Sequence, residues 1–296
     1  MRVFVTGATG FVGSRVVREL VAAGHPVLGL ARSDEGARSL SAIGAQVHRG
    51  TLEDVESLKR GAAASDAVIH LGFVHDFSKF KEVCEIDRVA IEAIGSVLAG
   101  SKRPLIVTSG VAGLAGPGQL ATEDMDVPAN YPIPRVSEQT ALSLVRKGVS
   151  AAVVRLPQVH DPVKQGLVSY VIAVAREKGE SAYVGDGANR WAAAHVDDVA
   201  RLYRLALEHH RPGAKYHAVA EEGVALRDIA EVVGRGMNVP VNSIAADGAA
   251  AHFGFLAGFV GSDLAASSER TRAKLGWHPT GPGLIADLER MDYTKA

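Results

Sequence analysis

The sequence has almost no cysteine, no excess of either charge and no long apolar run. Its single cysteine, Cys84, excludes an internal disulfide and a cysteine-based metal cluster. The 32 basic and 33 acidic residues give a net charge of −1, which excludes a strongly positive electrostatic potential of the kind that attracts nucleic acid or an anionic membrane. No apolar run is long enough to span a membrane, and the chain opens on a strand-like segment rather than a secretion signal. We therefore expect a cytoplasmic protein.

The 296 residues alternate regularly between strand-like and helix-like segments. Short apolar runs, such as 67–72 and 151–156, are separated by amphipathic stretches such as 79–98. Strands this continuously apolar are covered on both faces, as in a parallel sheet. The pattern predicts an α/β fold of the Rossmann type, in which a doubly wound parallel sheet is joined to a smaller C-terminal substrate lobe.

The first thirteen residues contain the clearest motif. A short β-branched and aromatic strand is followed by three glycines at three-residue spacing and by the start of a helix. The free N–H groups and the macrodipole of such a helix favour an anion, and the glycines allow a tight turn and close approach of a pyrophosphate. The motif predicts a dinucleotide site. Its residues are Gly7, Thr9, Gly10, Phe11, Val12 and Gly13.

The end of the second strand distinguishes the two nicotinamide cofactors. An acidic residue there would bind the ribose 2′-hydroxyl, whereas a basic one accommodates a 2′-phosphate. The planar guanidinium of Arg32 and the hydroxyl of Ser33 can both donate hydrogen bonds to phosphate oxygens, so we expect NADP rather than NAD. Asp34 is expected to cap the next helix. Leu52 is expected near the adenine, and Asp54 either accepts from the adenine amino group or caps a helix.

Beyond Pro157 the alternation loosens. We predict that residues 1–160 form the NADP-binding domain, with a later segment of roughly 188–220 returning to it, and that 161–296 form mainly the substrate lobe. The segment 241–261 has no clear assignment from its sequence.

The opening Thr6-Gly-Ala-Thr-Gly-Phe-Val-Gly13 resembles that of the extended short-chain dehydrogenases/reductases, which include sugar-nucleotide epimerases, dehydratases and hydroxysteroid dehydrogenases. The resemblance implies that Leu71 and Gly72 lie beside the cofactor and that Pro157 lies under the nicotinamide. It also implies a homodimer formed through two long helices. Further segments fit the family in order: 67–72, 105–110, 154–157, 184–187, 195–200 and 275–279.

The chain departs from this family in the catalytic residues. The family uses a tyrosine, and a lysine four residues later, to reduce or oxidise a carbonyl. Aligning Ser137 with the family's serine places Pro134 and Glu138 at these positions. A shift of one residue places Arg135 and Gln139 there instead. Neither alignment supplies the pair, so the chain resembles an atypical member.

Two further catalytic positions are also changed. The family's asparagine corresponds to Asp87, which we expect either to hold a water or the backbone near Ser109 or to pair with Arg88 or Lys81. The hydroxyl position most used by relatives falls on a glycine, which leaves Ser109 or Thr108 as a substitute.

Three other residues are candidate replacements for the missing pair. Tyr131 precedes Arg135 by four residues, but intervening prolines exclude a shared helical turn. It would therefore either reach the site from a loop or be a surface or packing residue. Arg135 would either polarise a carbonyl oxygen as a permanent cation or be a solvated arginine at the start of a helix. His160, three residues after Pro157, would either act as an acid or base near the nicotinamide or be a hydrogen-bonded structural residue.

The group of His195, Asp197 and Asp198 has the residue types of a metal site. The family resemblance implies a helix start at this position, capped by Asp197, so we expect no metal.

In sugar-nucleotide relatives an arginine near Arg190 clamps the diphosphate, so the resemblance implies that Arg190 faces the ligand. Trp191, which follows it, is the second candidate substrate residue. Phenylalanines in 253–259 favour an apolar or aromatic small molecule over a nucleotide sugar. We therefore predict an NADP-dependent oxidoreductase that transfers hydride to or from a small carbonyl or alcohol. The alternatives are an epimerase or dehydratase that uses the cofactor transiently, and a regulatory NADP-binding protein without turnover.

Overall fold

The computed structural model describes residues 1–131 and 133–294. The strands are β1 (Val3–Thr6), β2 (Val27–Ala31), β3 (Gln46–Arg49), β4 (Ala67–His70), β5 (Leu105–Gly110), β6 (Ala151–Leu156), β7 (Gln158–His160), β8 (Ser181–Val184), β9 (Arg190–His195), β10 (Lys215–His217), β11 (Glu221–Ala225) and β12 (Val241–Ile244). The helices are α1 (Phe11–Ala22), α2 (Asp34–Ala42), α3 (Val55–Ala63), α4 (Phe80–Leu98), α5 (Ser137–Val145), α6 (Val168–Lys178), α7 (Val196–Glu208), α8 (Leu226–Met237), α9 (Ala249–Phe253), α10 (Ala257–Val260), α11 (Glu269–Leu275) and α12 (Leu284–Arg290).

Seven strands form one parallel sheet in the order β10-β6-β5-β4-β1-β2-β3. The strand order reverses between β1 and β4, which is where doubly wound sheets bind their ligands. Thr6 and His70, the last residues of these two strands, stand opposite each other in register. The predicted Rossmann-type α/β fold is confirmed.

Helices cover both faces of this sheet, as its continuously apolar strands predict. Val3 and Val5 pack into a core with α1 and α7, whereas Phe4, between them, packs into the opposite core with α3, α4 and α5. All three side chains are fully buried, and each such burial stabilises the fold by about 1.5–3 kcal/mol. This packing fixes the carboxyl ends of the strands, where the predicted site residues lie.

A second core is built from the C-terminal part of the chain. It unites α6, α8 and α12 with Trp191 of β9. Two small sheets, β11-β9-β7 and β12-β8, accompany it. The unassigned segment 241–261 forms β12 followed by short helical turns.

Some later segments return to the main sheet. Strand β10 pairs with β6, and α7 packs in the same core as α1. Trp277, after α11, also belongs to this core. The division of the chain at residue 160 remains a prediction.

The predicted cap of α7 is wrong. The helix begins one residue earlier, and the ring of His195 accepts a hydrogen bond at Nδ1 from the backbone N–H of Asp197 at 3.3 Å. Asp197 therefore lies inside the first turn, where its negative charge interacts favourably with the helix dipole. Within the described residues, no helix combines the length and apolarity needed to cross a bilayer.

Candidate dinucleotide and active site

The turn between β1 and α1 requires glycine. Gly7 has φ of +65°, and a Cβ there would lie 2.7 Å from the backbone nitrogen of Gly72. A Cβ on Gly13 would lie 2.0 Å from the carbonyl oxygen of Gly7. Gly10 caps α1 without a side-chain hydrogen bond, so the N–H groups of the first turn are available to an anion. The cradle fits a dinucleotide pyrophosphate.

Leu52, Leu71 and Gly72 lie together beside this turn. A Cβ on Gly72 would come 2.7 Å from Cδ2 of Leu52, and one on Gly7 would come 2.8 Å from the carbonyl carbon of Leu71. The three residues form an apolar wall that suits the adenosine half of a dinucleotide. Asp54 accepts a hydrogen bond from the backbone N–H of Ser57 at 2.9 Å, so its helix-cap interpretation is confirmed.

Arg32 and Ser33 stand at the exposed end of β2. Ser33, not Asp34 as expected, caps α2 by accepting from the N–H of Gly36 at 3.1 Å. Asp34 instead begins the helix and pairs with Arg49. Within the described chain, no carboxylate pairs with Arg32.

The same corner carries basic residues that sequence reasoning did not single out. Arg38, one turn into α2, and Arg49 line a surface groove together with Asp34. The helical spacing of Arg38 from Asp34 was the available signal, since residues four apart share a helix face.

Arg135 lies just before α5 and reaches the carboxyl end of β5. Its Nε–H donates to Ser137 Oγ at 2.8 Å and Nη2 donates to the carbonyl oxygen of Thr108 at 3.1 Å. The ring of Phe73 covers the guanidinium, with its centroid 4.2 Å from Cζ. The side chain is 23% exposed, so its remaining N–H groups can reach a ligand.

Asp87 is the buried carboxylate behind Arg135. His70 Nε2 lies 3.1 Å from its Oδ1, and the hydroxyl of Ser137 donates to its Oδ2. Burial alone would raise the pKa of Asp87, but the hydrogen bond from His70 and the charge of Arg135 outweigh it and lower the pKa. The alternative partner Arg88 is wrong, because it pairs with Glu85 and Glu92 on the outer side of α4.

Of the two candidate hydroxyls on β5, only that of Ser109 is available. Thr108 is buried, and its hydroxyl lies 2.8 Å from the carbonyl oxygen of His70 and 2.7 Å from the Tyr203 hydroxyl. Ser109 is half-buried and, within the described residues, makes no side-chain hydrogen bond. Strand alternation places it on the opposite face, which α4 and α5 cover. Pro157 lies half-buried at the same sheet edge, directly after β6.

Tyr131 does not have the properties of the family's catalytic tyrosine. Its hydroxyl donates to the carbonyl oxygen of Ala112 at 2.8 Å. Burial and the nearby charge of Glu138 raise the pKa of Tyr131 to about 12, against the opposing charge of Arg135. The phenol therefore keeps its proton at neutral pH.

Glu138 occupies the position of the missing lysine in one of the two alignments, but its side chain is buried in the protein core. It forms a bidentate ion pair with the fully buried Arg155. Arg155 also lies 3.0 Å from Nε2 of His217 and donates to the carbonyl oxygen of Met125. Sequence reasoning missed this cluster, because nothing local identified Arg155 in an apolar strand as buried and paired.

His160 is placed where no ligand can reach it. Its side chain is 0% exposed, and Nδ1 lies 2.7 Å from Oδ2 of Asp287 on α12. Burial lowers the pKa of His160, although Asp287 and Glu221 oppose the shift. The short strand β7 carries it between β9 and α12, so its position does not support the predicted acid–base role at the nicotinamide.

The two predicted substrate residues have other partners. Arg190 binds Asp263 through Nε at 3.1 Å and Nη2 at 2.8 Å, which occupies the fork expected to hold a ligand. Trp191 is 1% exposed and donates its indole N–H to the carbonyl oxygen of Phe259 at 3.2 Å. Trp191 is therefore a core residue rather than a ligand contact, because alternation along β9 turns it inward.

Comparisons with known proteins agree with this architecture. An uncharacterised protein of Schizosaccharomyces pombe, C2A9.02, is 49% identical over 295 residues, which cover 99% of this chain and 100% of that protein. The 4-hydroxy-2-methyl-3-oxo-4-farnesyl-3,4-dihydroquinoline-1-oxide ketoreductase of Stigmatella aurantiaca is 30% identical over 269 residues, 86% of this chain and 80% of that protein. The UDP-glucose 4-epimerase of Thermus thermophilus, solved with NAD, has the same fold, with a TM-score of 0.76 at 21% identity and 100% coverage of both chains.

Residues 3–220 match the sequence model of a single family, which spans the glycine turn, Asp87, Arg135 and β10. The chain therefore belongs to the NAD dependent epimerase/dehydratase family, as an atypical member of the extended short-chain dehydrogenases/reductases.

Proposed function

We propose that the protein is an NADP-dependent oxidoreductase that transfers hydride to or from a small carbonyl or alcohol. The observation that carries this proposal is the position of two polar side chains at the carboxyl end of β5. Arg135 donates to the carbonyl oxygen of Thr108, and the hydroxyl of the next residue, Ser109, makes no hydrogen bond within the described residues. When bound, the nicotinamide supplies or accepts the hydride. The chain must then stabilise charge on the substrate oxygen, and we assign this task to these two side chains.

Arg135 suits this task because it is a permanent cation held at a fixed angle. Two of its N–H groups are occupied by Ser137 and Thr108, and Phe73 shields one face from water. Fixed donors in a water-poor site stabilise a developing oxyanion, and the loss of one such donor typically costs about 10²–10³-fold in rate. The proton that completes reduction would come from solvent through Ser109.

The preference for NADP is supported by the charge at the end of β2. Arg32 is exposed and has no carboxylate partner in the described chain, and Ser33 retains its hydroxyl hydrogen for donation. Arg38 adds positive charge at this corner, whereas the charge of Arg49 is offset by Asp34. A dianionic 2′-phosphate would be favoured there, whereas a ribose hydroxyl would lack the acidic acceptor that NAD sites use.

A small carbonyl compound suits this site better than a nucleotide sugar. Arg190, the expected diphosphate clamp, is neutralised by Asp263. The Stigmatella relative is named as a ketoreductase, which is consistent with a ketone substrate for this chain as well. Homodimerisation through α4 and α5 and a cytoplasmic location remain predictions.

The test is steady consumption of NADPH across a panel of aldehydes and ketones. We expect turnover of at least one carbonyl compound, with NADPH preferred over NADH. Isomerisation or dehydration of a substrate without net NADPH loss would favour an epimerase or dehydratase. Tight NADPH binding with no turnover would replace the proposal by a regulatory binding protein.

A further inference from the structure

We infer that Thr6, His70, Asp87 and Ser137 form a buried positioning chain that makes the orientation of Arg135 depend on the dinucleotide turn. These four residues are at most 1% exposed, so bulk water does not compete for their hydrogen bonds. The kinetic part of this inference rests on the proposed function, whereas its spectroscopic part does not.

One end of this positioning chain, Thr6, contacts both backbone turns that would hold the cofactor, those at Gly7 and Gly72. Thr6 immediately precedes Gly7, and its Oγ1 accepts a hydrogen bond from the backbone N–H of Gly72 at 3.0 Å. The turns at Gly7 and Gly72 are in close contact, since a Cβ on Gly7 would lie 2.7 Å from the nitrogen of Gly72. A dinucleotide bound across the two turns would contact the backbone to which the buried Thr6 hydroxyl is bonded.

The middle of the chain has one consistent direction of donation. Because Thr6 Oγ1 already accepts from Gly72, its own hydrogen can go to His70 Nδ1, 2.9 Å away. The proton of His70 then lies on Nε2 and faces Asp87 Oδ1 at 3.1 Å. Asp87 Oδ2 accepts the hydroxyl hydrogen of Ser137. Each of these side chains donates and accepts in a single arrangement, and a buried network whose hydrogen bonds are all formed in this way is rigid.

At the other end, Ser137 holds Arg135 away from the carboxylate. Ser137 Oγ accepts from Arg135 Nε at 2.8 Å, while Nε remains 3.8 Å from Asp87 Oδ2. A direct ion pair between Arg135 and Asp87 would satisfy both charges without any hydroxyl. The interposed serine instead leaves the outer N–H groups of the guanidinium pointing toward the β5 edge. Without it, Arg135 should close onto Asp87 and withdraw from the substrate.

Substitutions at the two ends of the positioning chain, each with a matched control, test it. Ser137→Ala removes the link, and Ser137→Thr restores a hydroxyl. Ser143→Ala is the control, because Ser143 lies on the same helix and its one side-chain hydrogen bond among the described residues goes to the carbonyl oxygen of Thr140. Thr6→Val removes the hydroxyl at the cofactor end of the positioning chain while keeping the shape of the side chain. Thr140→Val is its control, because it removes a hydroxyl that bonds to the carbonyl oxygen of Val136 in α5. Thermal unfolding of each variant establishes that it is folded.

For kcat, we expect Ser137→Ala to lower turnover by about 10²-fold, the scale of an angstrom-sized misplacement, with the dissociation constant of NADPH unchanged. Ser137→Thr should recover most of this loss. Wild-type turnover in folded Ser137→Ala, or an equal loss in Ser143→Ala, would overturn the inference.

The second readout requires no turnover. In ¹⁵N-labelled protein, the Nε–H resonance of Arg135, assigned by its absence from Arg135→Lys, should move when NADP⁺ is added. It should move in wild type, Ser137→Thr and Ser143→Ala, but not in Ser137→Ala or Thr6→Val. An unmoved wild-type resonance, or an identical shift in Ser137→Ala, contradicts the chain. If no carbonyl is reduced but these shifts occur, only the proposed function fails.

Discussion

Glu138 and Arg155 form a bidentate ion pair with both side chains almost completely buried. The pair joins the start of α5 to β6, and Arg155 extends it to the loop before α5 by donating to the carbonyl oxygen of Met125. Glu138, which one of the two alignments places at the family's lysine position, thus contributes to the stability of the fold.

Breaking this pair should strongly destabilise the protein. Glu138→Gln leaves the Arg155 charge buried without a counter-ion, which typically costs about 3–5 kcal/mol. Glu92→Gln removes one partner of the surface pair with Arg88, which should change stability by less than about 1 kcal/mol. Urea unfolding measures both. Equal, small effects would show that the buried pair is solvated in solution.

Stability should fall as the solution is acidified below the ordinary pKa of histidine. Burial and the charge of Arg155 lower the pKa of His217 to about 4, although Glu123 opposes the shift. Because unfolded histidine takes up its proton near pH 6.5, the unfolded state is favoured between about pH 6.5 and 4, by up to about 3 kcal/mol. Unfolding free energies of wild type and His217→Gln across this range measure the effect. Parallel curves would contradict it.

Gly13 should tolerate no side chain. Its Cβ would fall 2.0 Å from the Gly7 carbonyl oxygen, so Gly13→Ala must displace α1 from the cradle. We expect a loss of about 3 kcal/mol or more and failure to bind dinucleotide. Gly258→Ala, in α10 with open space around it, should be neutral or slightly stabilising. Calorimetric unfolding with and without NADP⁺ distinguishes the two, and wild-type binding by Gly13→Ala would refute this geometry.

The proposed preference for NADP should depend on Arg32. Loss of a charged hydrogen bond to the 2′-phosphate costs about 1.5–3 kcal/mol, so Arg32→Ala should weaken NADP binding roughly 10- to 100-fold and leave NAD binding unchanged. Arg60→Ala, an exposed arginine on α3, is the control. Fluorescence titration with both cofactors gives the dissociation constants. An equal loss of affinity for NADP and NAD in Arg32→Ala would contradict a preference for NADP.

The cofactor half of the site was predictable because its signal is local. A strand, three glycines and a helix start lie within thirteen residues, and the physics of the turn requires no distant partner. The helix caps at Ser33 and His195 were missed by one and two residues, because neighbouring side chains compete for the same N–H groups and backbone angles decide between them.

The catalytic half was only partly predictable. Arg135 and Asp87 could be singled out by alignment with the missing residues, but their link through Ser137 and His70 depends on sheet register and helix packing. His160 and Trp191 were predicted to face a ligand because they follow Pro157 and Arg190, which the family resemblance places near one. Three-residue and six-residue strands give too short a pattern to show which side chains turn inward.

The most direct test compares Arg135→Met with Arg146→Met, an exposed arginine directly after α5, in NADPH-dependent reduction of the best carbonyl substrate. We predict that Arg135→Met lowers kcat by about 10²–10³-fold, because it removes the fixed donor to the developing oxyanion, while NADPH still binds. Arg146→Met should match wild type. Undiminished turnover by Arg135→Met would contradict the account, as would a wild-type protein that binds NADPH and consumes none with any carbonyl compound.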